Sequence, residues 1–569
     1  MFLPTTRIEM KELYWDSLDV ILVTGDSYID SPYVGVAVIG KFLVKHGFRV
    51  GIIAQPDFRG TVDIGRLGEP VLFWGVTAGC VDSMVANYTA LKKKRRSDDY
   101  TPGGINDRRP DRASIVYSNL IRRFSNQSQP PTPVKPIVLG GIEASLRRVA
   151  HYDFWTNKLR RSLLFDAKAD FLLYGMAENS ILSLANCLRD GLDPRSVDGL
   201  CYISNEKQTD YLELPSFEEV EREKELFTEM FHTFYRNNDP LNAKGLVQKH
   251  ANRYLVQNPP SQYQKQAELD AIYALNFEYK QHPYYEKQGP VKALETIRFS
   301  ISTHRGCYGE CNYCAIAVHE GRTVRWRSQA SILKEAELLT RTEGFKGYIQ
   351  DVGGPTANMY GYECTKKLKS GSCPDKRCLS PEICPALKVN HLPNLNLLKE
   401  IRKIKGIRKV FVSSGIRYDL IFSDKNYCDE YIHELTNHHV SGQLKVAPEH
   451  SRANVLEKMG KPAIKDLLNF KEKFDVYSRA AGKNQFLTYY MIAAHPGCDE
   501  TDMQKLKTFT SKKLNINPEQ VQIFTPTPST YSTLMYYTEK DPFTGKPIFV
   551  EKDPERKQKQ KGIITQKNG

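Results

Sequence analysis

Nowhere do the 569 residues contain an apolar run of about 18, the length a membrane-spanning helix needs, so no such span is expected. The opening stretch, MFLPTTRIEMKELYWDSLD, lacks a basic segment followed by an apolar one, so no secretory signal is expected either. The expected compartment is the cytoplasm. Cysteine is spent sparingly, 12 residues in all. In a reducing compartment such thiols serve metals or catalysis more often than disulfides. A strong charge of one sign is also missing: 80 basic against 66 acidic residues leave a net charge of +14. Part of that excess sits in LKKKRRSDD and in EKDPERKQKQKG near the end. Both read as solvated segments, with RNA or another polyanion as a candidate contact. A chain this long exceeds one hydrophobic core, so two or three domains are expected.

What is present is a repeated strand–helix alternation. DVILVT, RVGIIAQ and EPVLFWGVT are short apolar runs separated by helical patterns, and Gly47 follows the first helix as its C-terminal stop. The rhythm continues through VDSMVANYTALKKK as a helix, a polar loop at about 95–112, a helix near 113–124, PIVLGG, ADFLLYG and a helix from Glu178. It predicts an α/β domain over 1–205, with a doubly wound, Rossmann-like parallel sheet. Residues 206–290 read as a helical and extended bridge. A second alternation fills 291–530. Its six strands, each followed by a helix or loop, predict a partial (β/α)6 barrel, because a closed barrel of this type needs eight. Residues 531–569 read as a basic extension whose tail carries no order of its own.

Chemistry in such barrels sits at the strand ends. The loop after the first barrel strand reads Cys307-Tyr-Gly-Glu-Cys311-Asn-Tyr-Cys314. Three thiols crowd together with no fourth beside them. A structural zinc takes four ligands, so His304 or His319 would have to complete it. A [4Fe–4S] cube takes one ligand per iron, and three cysteines leave one iron open.

This C-x3-C-x2-C spacing, with aromatic Tyr313 before the third cysteine, resembles the signature of radical S-adenosylmethionine (SAM) enzymes. The resemblance implies a [4Fe–4S] cluster on Cys307, Cys311 and Cys314, with SAM on the open iron and reductive cleavage to a 5′-deoxyadenosyl radical. It also implies a partial (β/α)6 fold. Gly353-Gly354-Pro355 resembles the family's Gly-Gly-Glu segment that holds the methionine amino group, with Pro355 in place of Glu. Ser413, Ser414 and Arg417 resemble its ribose and carboxylate contacts. KVAPEHSRANVLEKMGKP, with Glu449, and FTPTPST resemble segments of radical SAM methylthiotransferases. His304, Arg305, Tyr308 and Arg325 flank the loop as candidates to contact SAM or to pass electrons and protons. Longer stretches, among them ILVTGDSYIDSPYVGVAVIGKFLVKHGFRVGIIAQPD, LGGIEASLRR and STHRGCYGECNYCAI, resemble the YgiQ family across nearly the whole chain. That likeness brings no substrate with it.

The first domain is similar to the cobalamin-binding-like domains that precede many radical SAM cores. A histidine-ligated cobalamin uses Asp-x-His-x-x-Gly, and the loop at 26–35, DSYIDSPYVG, has no histidine, so cobalamin is not expected. Base-off binding without a protein ligand stays open. A second cysteine group, Cys364, Cys373, Cys378 and Cys384, lies in a proline-punctuated insertion at 360–390. Four thiolates there could close a zinc site or hold a second cluster. The resulting expectation is a radical SAM enzyme fed by a reductant such as flavodoxin or ferredoxin, with RNA among its candidate substrates and no membrane partner. Two rivals are a non-catalytic iron–sulfur or zinc nucleic-acid-binding protein and a SAM-binding regulator.

Overall fold

The computed structural model describes residues 1–127, 134–374 and 377–566. The chain divides into two compact units, Met1–Tyr263 with Ala271–Arg298, and Gln264–Asp270 with Phe299–Gly569.

The first unit is built on a nine-stranded sheet. Five of its strands run parallel, in the spatial order Val50–Ala54, Val20–Thr24, Phe73–Thr77, Ile137–Leu139, Phe171–Leu173. Val20–Thr24 and Val50–Ala54 are buried at every residue, as strands covered on both faces must be. This is a doubly wound order in which the chain reverses direction between Val20–Thr24 and Phe73–Thr77. The carboxyl ends of those two strands are therefore where the fold binds ligands. Gly47 stops the helix Gly35–Lys45 at φ +87°, and Glu178–Arg189 is helical as expected. The helix after the third strand covers only Ser83–Asn87.

Residues 206–290, read from sequence as a bridge, extend this sheet. Leu212–Leu214, Leu246–His250 and Arg253–Gln257 join it beyond Leu200–Ser204. The hairpin between the second and third turns at Ala251, φ +54°. Such turns favour Asn-Gly, and Ala-Asn hides the signal. His250 lies in this hairpin between the rings of Phe165 and Phe217, at 4.6 and 5.6 Å. Neither of its ring nitrogens has a hydrogen-bond partner among the described residues. Burial holds its pKa down to about 3. The folded state thus refuses a proton that the unfolded chain accepts below about 6.5. Stability from this group is complete above that value and is lost as pH falls toward 3. His250→Phe is expected to flatten the acid side of the stability profile, by up to about 1.4 kcal/mol per pH unit. Urea midpoints at pH 7.5 and pH 5 measure this; an unchanged difference between the two would count against it.

The second unit carries six strand runs in parallel succession, the second of them broken at Gln350 into Tyr348–Ile349 and Asp351–Gly353. Ser300–Ser302 pairs with Asp351–Gly353, and Tyr348–Ile349 with Lys409–Val410. Ile416 bridges Val446. Gln443–Glu449 pairs with Phe486–Ala493, which pairs with Val521–Ile523. Among the described residues the first and last strands have no further strand partner, so the series is an open (β/α)6 barrel. The helix Gln329–Thr340 is capped by Ser328, whose hydroxyl accepts from Ser331 N. The terminal segment expected to lack order is a helix, Pro554–Thr565. Lys557, Gln560 and Ile564 are its buried face, and Gln560 Oε1 accepts from Ala494 N at 3.1 Å. Lysine and glutamine disguise that face as solvent-exposed.

Candidate active site

The cysteine loop follows Ser300–Ser302, and strand-end segments of the same unit clamp it. Asn312 N donates to Met459 O at 2.9 Å, and Ser532 N donates to Asn312 O at 2.8 Å. Asn312 Nδ2 donates to Lys458 O at 2.8 Å. The segment KVAPEHSRANVLEKMGKP thus packs on the cysteine loop through Asn312, a residue without a sequence signal of its own. Cys314 N donates to Cys311 O at 3.0 Å, closing a tight turn.

Cys307, Cys311 and Cys314 are all half-buried. A side chain added at Gly309 would stand 3.2 Å from Cys307 Sγ, 3.6 Å from Cys311 Sγ and 3.4 Å from Arg417 Nη1. Glycine thus lets two thiols and a guanidinium converge closely on the backbone of this loop. Burial, then the neighbouring Cys311 sulfur, holds the thiols of Cys307 and Cys314 above the ordinary cysteine range. Such thiols bind a metal as thiolates, and binding releases their protons to solvent. Thr356 Oγ1 and Met359 Sδ each lie 3.8 Å from Cys307 Sγ.

Arg417 is the cation of the site. Its Nη1 is 4.0 Å from Cys311 Sγ, and its Nε and Nη2 donate to Asp419 at 2.8 and 2.6 Å. Burial works against the Arg417 charge, but the Asp419 carboxylate outweighs it, and the guanidinium stays well above its usual value. Glu449 sits at a β-bulge that ends Gln443–Glu449, with φ +66°, a device that re-aims a side chain at a strand end. Tyr313, the aromatic of the cysteine signature, donates from its hydroxyl to Glu449 Oε1 at 2.8 Å. Burial pushes the Glu449 carboxyl up, while nearby Lys461 pulls it back.

Gly353 and Ser414 meet directly, since a side chain at Gly353 would lie 2.6 Å from Ser414 Oγ. Asp351 accepts from Ser413 N at 2.7 Å, from Ser414 N at 3.0 Å and from the Ser414 hydroxyl. Ser413 Oγ donates to Gln350 O at 2.7 Å. Both hydroxyl protons are thus committed, and only the serine oxygens remain as acceptors. Asp351 organises this turn and carries no sequence signal of its own, because an acidic residue before Gly-Gly reads as an ordinary turn. Pro355 follows Gly353 and Gly354 and supplies no backbone donor.

His304 lies against Gly354, with a side chain there meeting ring atoms at 2.6 to 2.9 Å. Thr303 Oγ1 is 2.8 Å from its Nδ1, and its buried Nε2 has no hydrogen-bond partner among the described residues. Gly354→Ala is expected to displace that ring and cost about 1–3 kcal/mol, read as a lowered thermal midpoint. An unchanged midpoint would show that the ring yields freely. Tyr308, a candidate SAM contact, is instead fully buried and donates to Tyr362 O at 3.2 Å. Arg305 and Arg325 pair across a short antiparallel bridge, and each reaches Gln264.

Cys364, Cys373, Cys378 and Cys384 line one cavity of the second unit. Among the described residues, no three or more His, Cys, Asp or Glu side chains are grouped so that they could hold a single metal ion. A zinc site completed by His304 or His319 is therefore not formed. A cube differs, because it spreads its thiolates over separate irons. Three thiols of one loop, two of them converging with a guanidinium on Gly309, suit such a group.

In the first unit, the loop beginning at Asp26 is welded to its neighbours. Buried Arg109 forms ion pairs with Asp26 and, at 3.1 Å, with Asp98. Cys80 N donates to Asp26 Oδ2 at 2.6 Å.

The family model for the radical SAM N-terminal region matches residues 2–300. A UPF0313 protein of Fusobacterium nucleatum is 58% identical over 100% of this chain and 99% of its own length. One of Thermotoga neapolitana is 50% identical, again over 100% of this chain and 99% of its own. Among solved structures, the radical SAM methyltransferase TsrM of Kitasatospora setae, with cobalamin and a [4Fe–4S] cluster bound, is 15% identical with a TM-score of 0.50. The match covers 91% of this chain and 74% of TsrM. This likeness is one of fold, and it corrects the expectation that cobalamin is unlikely. A protein of this fold carries cobalamin together with the cluster. The missing histidine at 26–35 excludes only a histidine-ligated corrinoid, because base-off binding needs no protein nitrogen.

Proposed function

The chain belongs to the UPF0313 family of radical SAM proteins, and from that premise we propose that it is an enzyme that cleaves SAM reductively and starts radical chemistry on a second substrate. The observation that carries this reading is the convergence of Cys307, Cys311 and Arg417 on Gly309, in the loop that follows the first strand of an open (β/α)6 barrel. Cys307, Cys311 and Cys314 would hold a [4Fe–4S] cluster. When bound, such a cluster leaves one iron without a protein ligand and supplies the electron that breaks the SAM sulfonium.

The chain's own residues would do the remaining work. Arg417 lends positive charge beside the thiolates and is fixed in place by Asp419. Glu449, buried and held by Tyr313, offers a carboxylate oxygen to an amino or hydroxyl donor. Pro355 offers a backbone carbonyl and no N–H, so an amino group is a fitting guest there. Ser413 and Ser414, their protons committed, would accept from ribose hydroxyls. A flavodoxin- or ferredoxin-type protein is the proposed electron donor, and RNA is one candidate substrate.

Anaerobic protein reconstituted with iron and sulfide and reduced with dithionite should convert SAM to 5′-deoxyadenosine and methionine, detected by mass spectrometry. Fully loaded and reduced protein that leaves SAM intact would overturn the proposal, and would favour a binding protein.

A further inference from the structure

The insertion at 360–390 is more than a surface loop. Its four cysteines line one cavity of about 240 Å³, together with Glu310, Lys366, Lys367, Arg377 and the apolar stretch Pro385–Leu387. The segment is built around that space. Cys364 caps the helix Thr365–Ser370, which Gly371 ends at φ +76°. Cys384 N donates to Cys378 O at 2.8 Å, and Leu387 N to Cys384 O at 2.9 Å. Cys364 and Cys378 are buried in a core with Leu379, Leu387, Tyr308 and Tyr362, while Cys373 and Cys384 are half-buried.

We infer that Cys364, Cys373, Cys378 and Cys384 hold a second [4Fe–4S] cluster, closed by four protein thiolates. Size separates this from zinc. Sulfurs around one zinc stand about 2.3 Å from it and leave no void between them. The cavity here, about 240 Å³, exceeds the roughly 150 Å³ that admits a benzene-sized guest.

Charge agrees. A cube bound by four thiolates is anionic, and Lys366, Lys367 and Arg377 line the cavity against one carboxylate, Glu310. Glu310 is itself paired with Arg322 at 3.1 Å. Arg377 Nη1 donates to Glu310 O at 2.9 Å. Its Nη2 is buried with no hydrogen-bond partner among the described residues, a donor that a cluster sulfide would satisfy. With all four irons ligated by protein, this cluster has no open iron for SAM and suits electron transfer or local ordering. The core containing Tyr308 and Tyr362 also packs against Cys307, so both cysteine groups border the same side chains.

The test uses the full chain, purified anaerobically and reconstituted with ferrous iron and sulfide. The unaltered protein should bind about eight irons, and the C307A/C311A/C314A variant about four with four sulfides. Adding C373A and C384A to that variant should remove them. The converse variant, C373A/C384A alone, should keep about four irons at the first loop, and circular dichroism checks that each variant is folded. About four irons in the unaltered protein, or zinc instead of iron in the triple variant, would overturn this second site while leaving the first intact. Iron lost entirely from C373A/C384A but kept by the triple variant would instead overturn the assignment of the first loop.

Discussion

Cys311→Ala protein, reconstituted without oxygen, is expected to lose the iron of the first loop and to release no 5′-deoxyadenosine above background. The loss should exceed the roughly 10–100-fold that follows removal of an outer-shell partner, because a ligand itself is gone. Cys311 is the sensitive position on two grounds. Its sulfur is the one that Arg417 approaches, at 4.0 Å, and it is the neighbour that most raises both flanking thiols. Cys187, half-buried on the helix Glu178–Arg189 of the first unit, supplies the control. Cys187→Ala should keep both iron and activity. Equal activity in Cys311→Ala would place the chemistry elsewhere.

The second large effect is on stability. Arg417→Met leaves the Asp419 carboxylate, 2% exposed, without its cation. Breaking a buried pair in this way costs about 3–5 kcal/mol, whereas replacing both partners by neutral groups is often nearly neutral. Urea unfolding should therefore show a large loss for Arg417→Met and a marked recovery for Arg417→Met combined with Asp419→Asn. Recovery of stability should not restore iron binding in full, since the cation beside Cys311 stays absent. A loss for the single variant under about 1 kcal/mol, typical of a solvent-exposed pair, would contradict the buried geometry.

The parts of this molecule legible in its sequence are those where one local signal decides the outcome. Six apolar runs punctuated by helical patterns predict the open barrel, and Ser328 before Gln-Ala-Ser marks a helix start that the structure reproduces. Gly47 marks a helix end in the same way. Signals failed where tertiary contacts decide. The hairpin at Ala251 has no turn glycine, and its strands LVQKH and RYLVQ are charged enough to pass for a connector. The helix Pro554–Thr565 buries lysine and glutamine, so its inner face resembles its outer one. Asp351 and Asn312 act through backbone groups distant in sequence, and nothing local distinguishes them from turn residues. The corrinoid expectation failed because it read one missing ligand as a missing cofactor.

As proposed above, Cys307, Cys311 and Cys314 hold a cube with one iron free for SAM. Mössbauer spectroscopy of ⁵⁷Fe-reconstituted C373A/C384A protein, with and without SAM, tests it most directly. SAM should change the signal of about one iron in four and leave the other three as they were. Spectra identical with and without saturating SAM, or a change shared equally by all four irons, would contradict it.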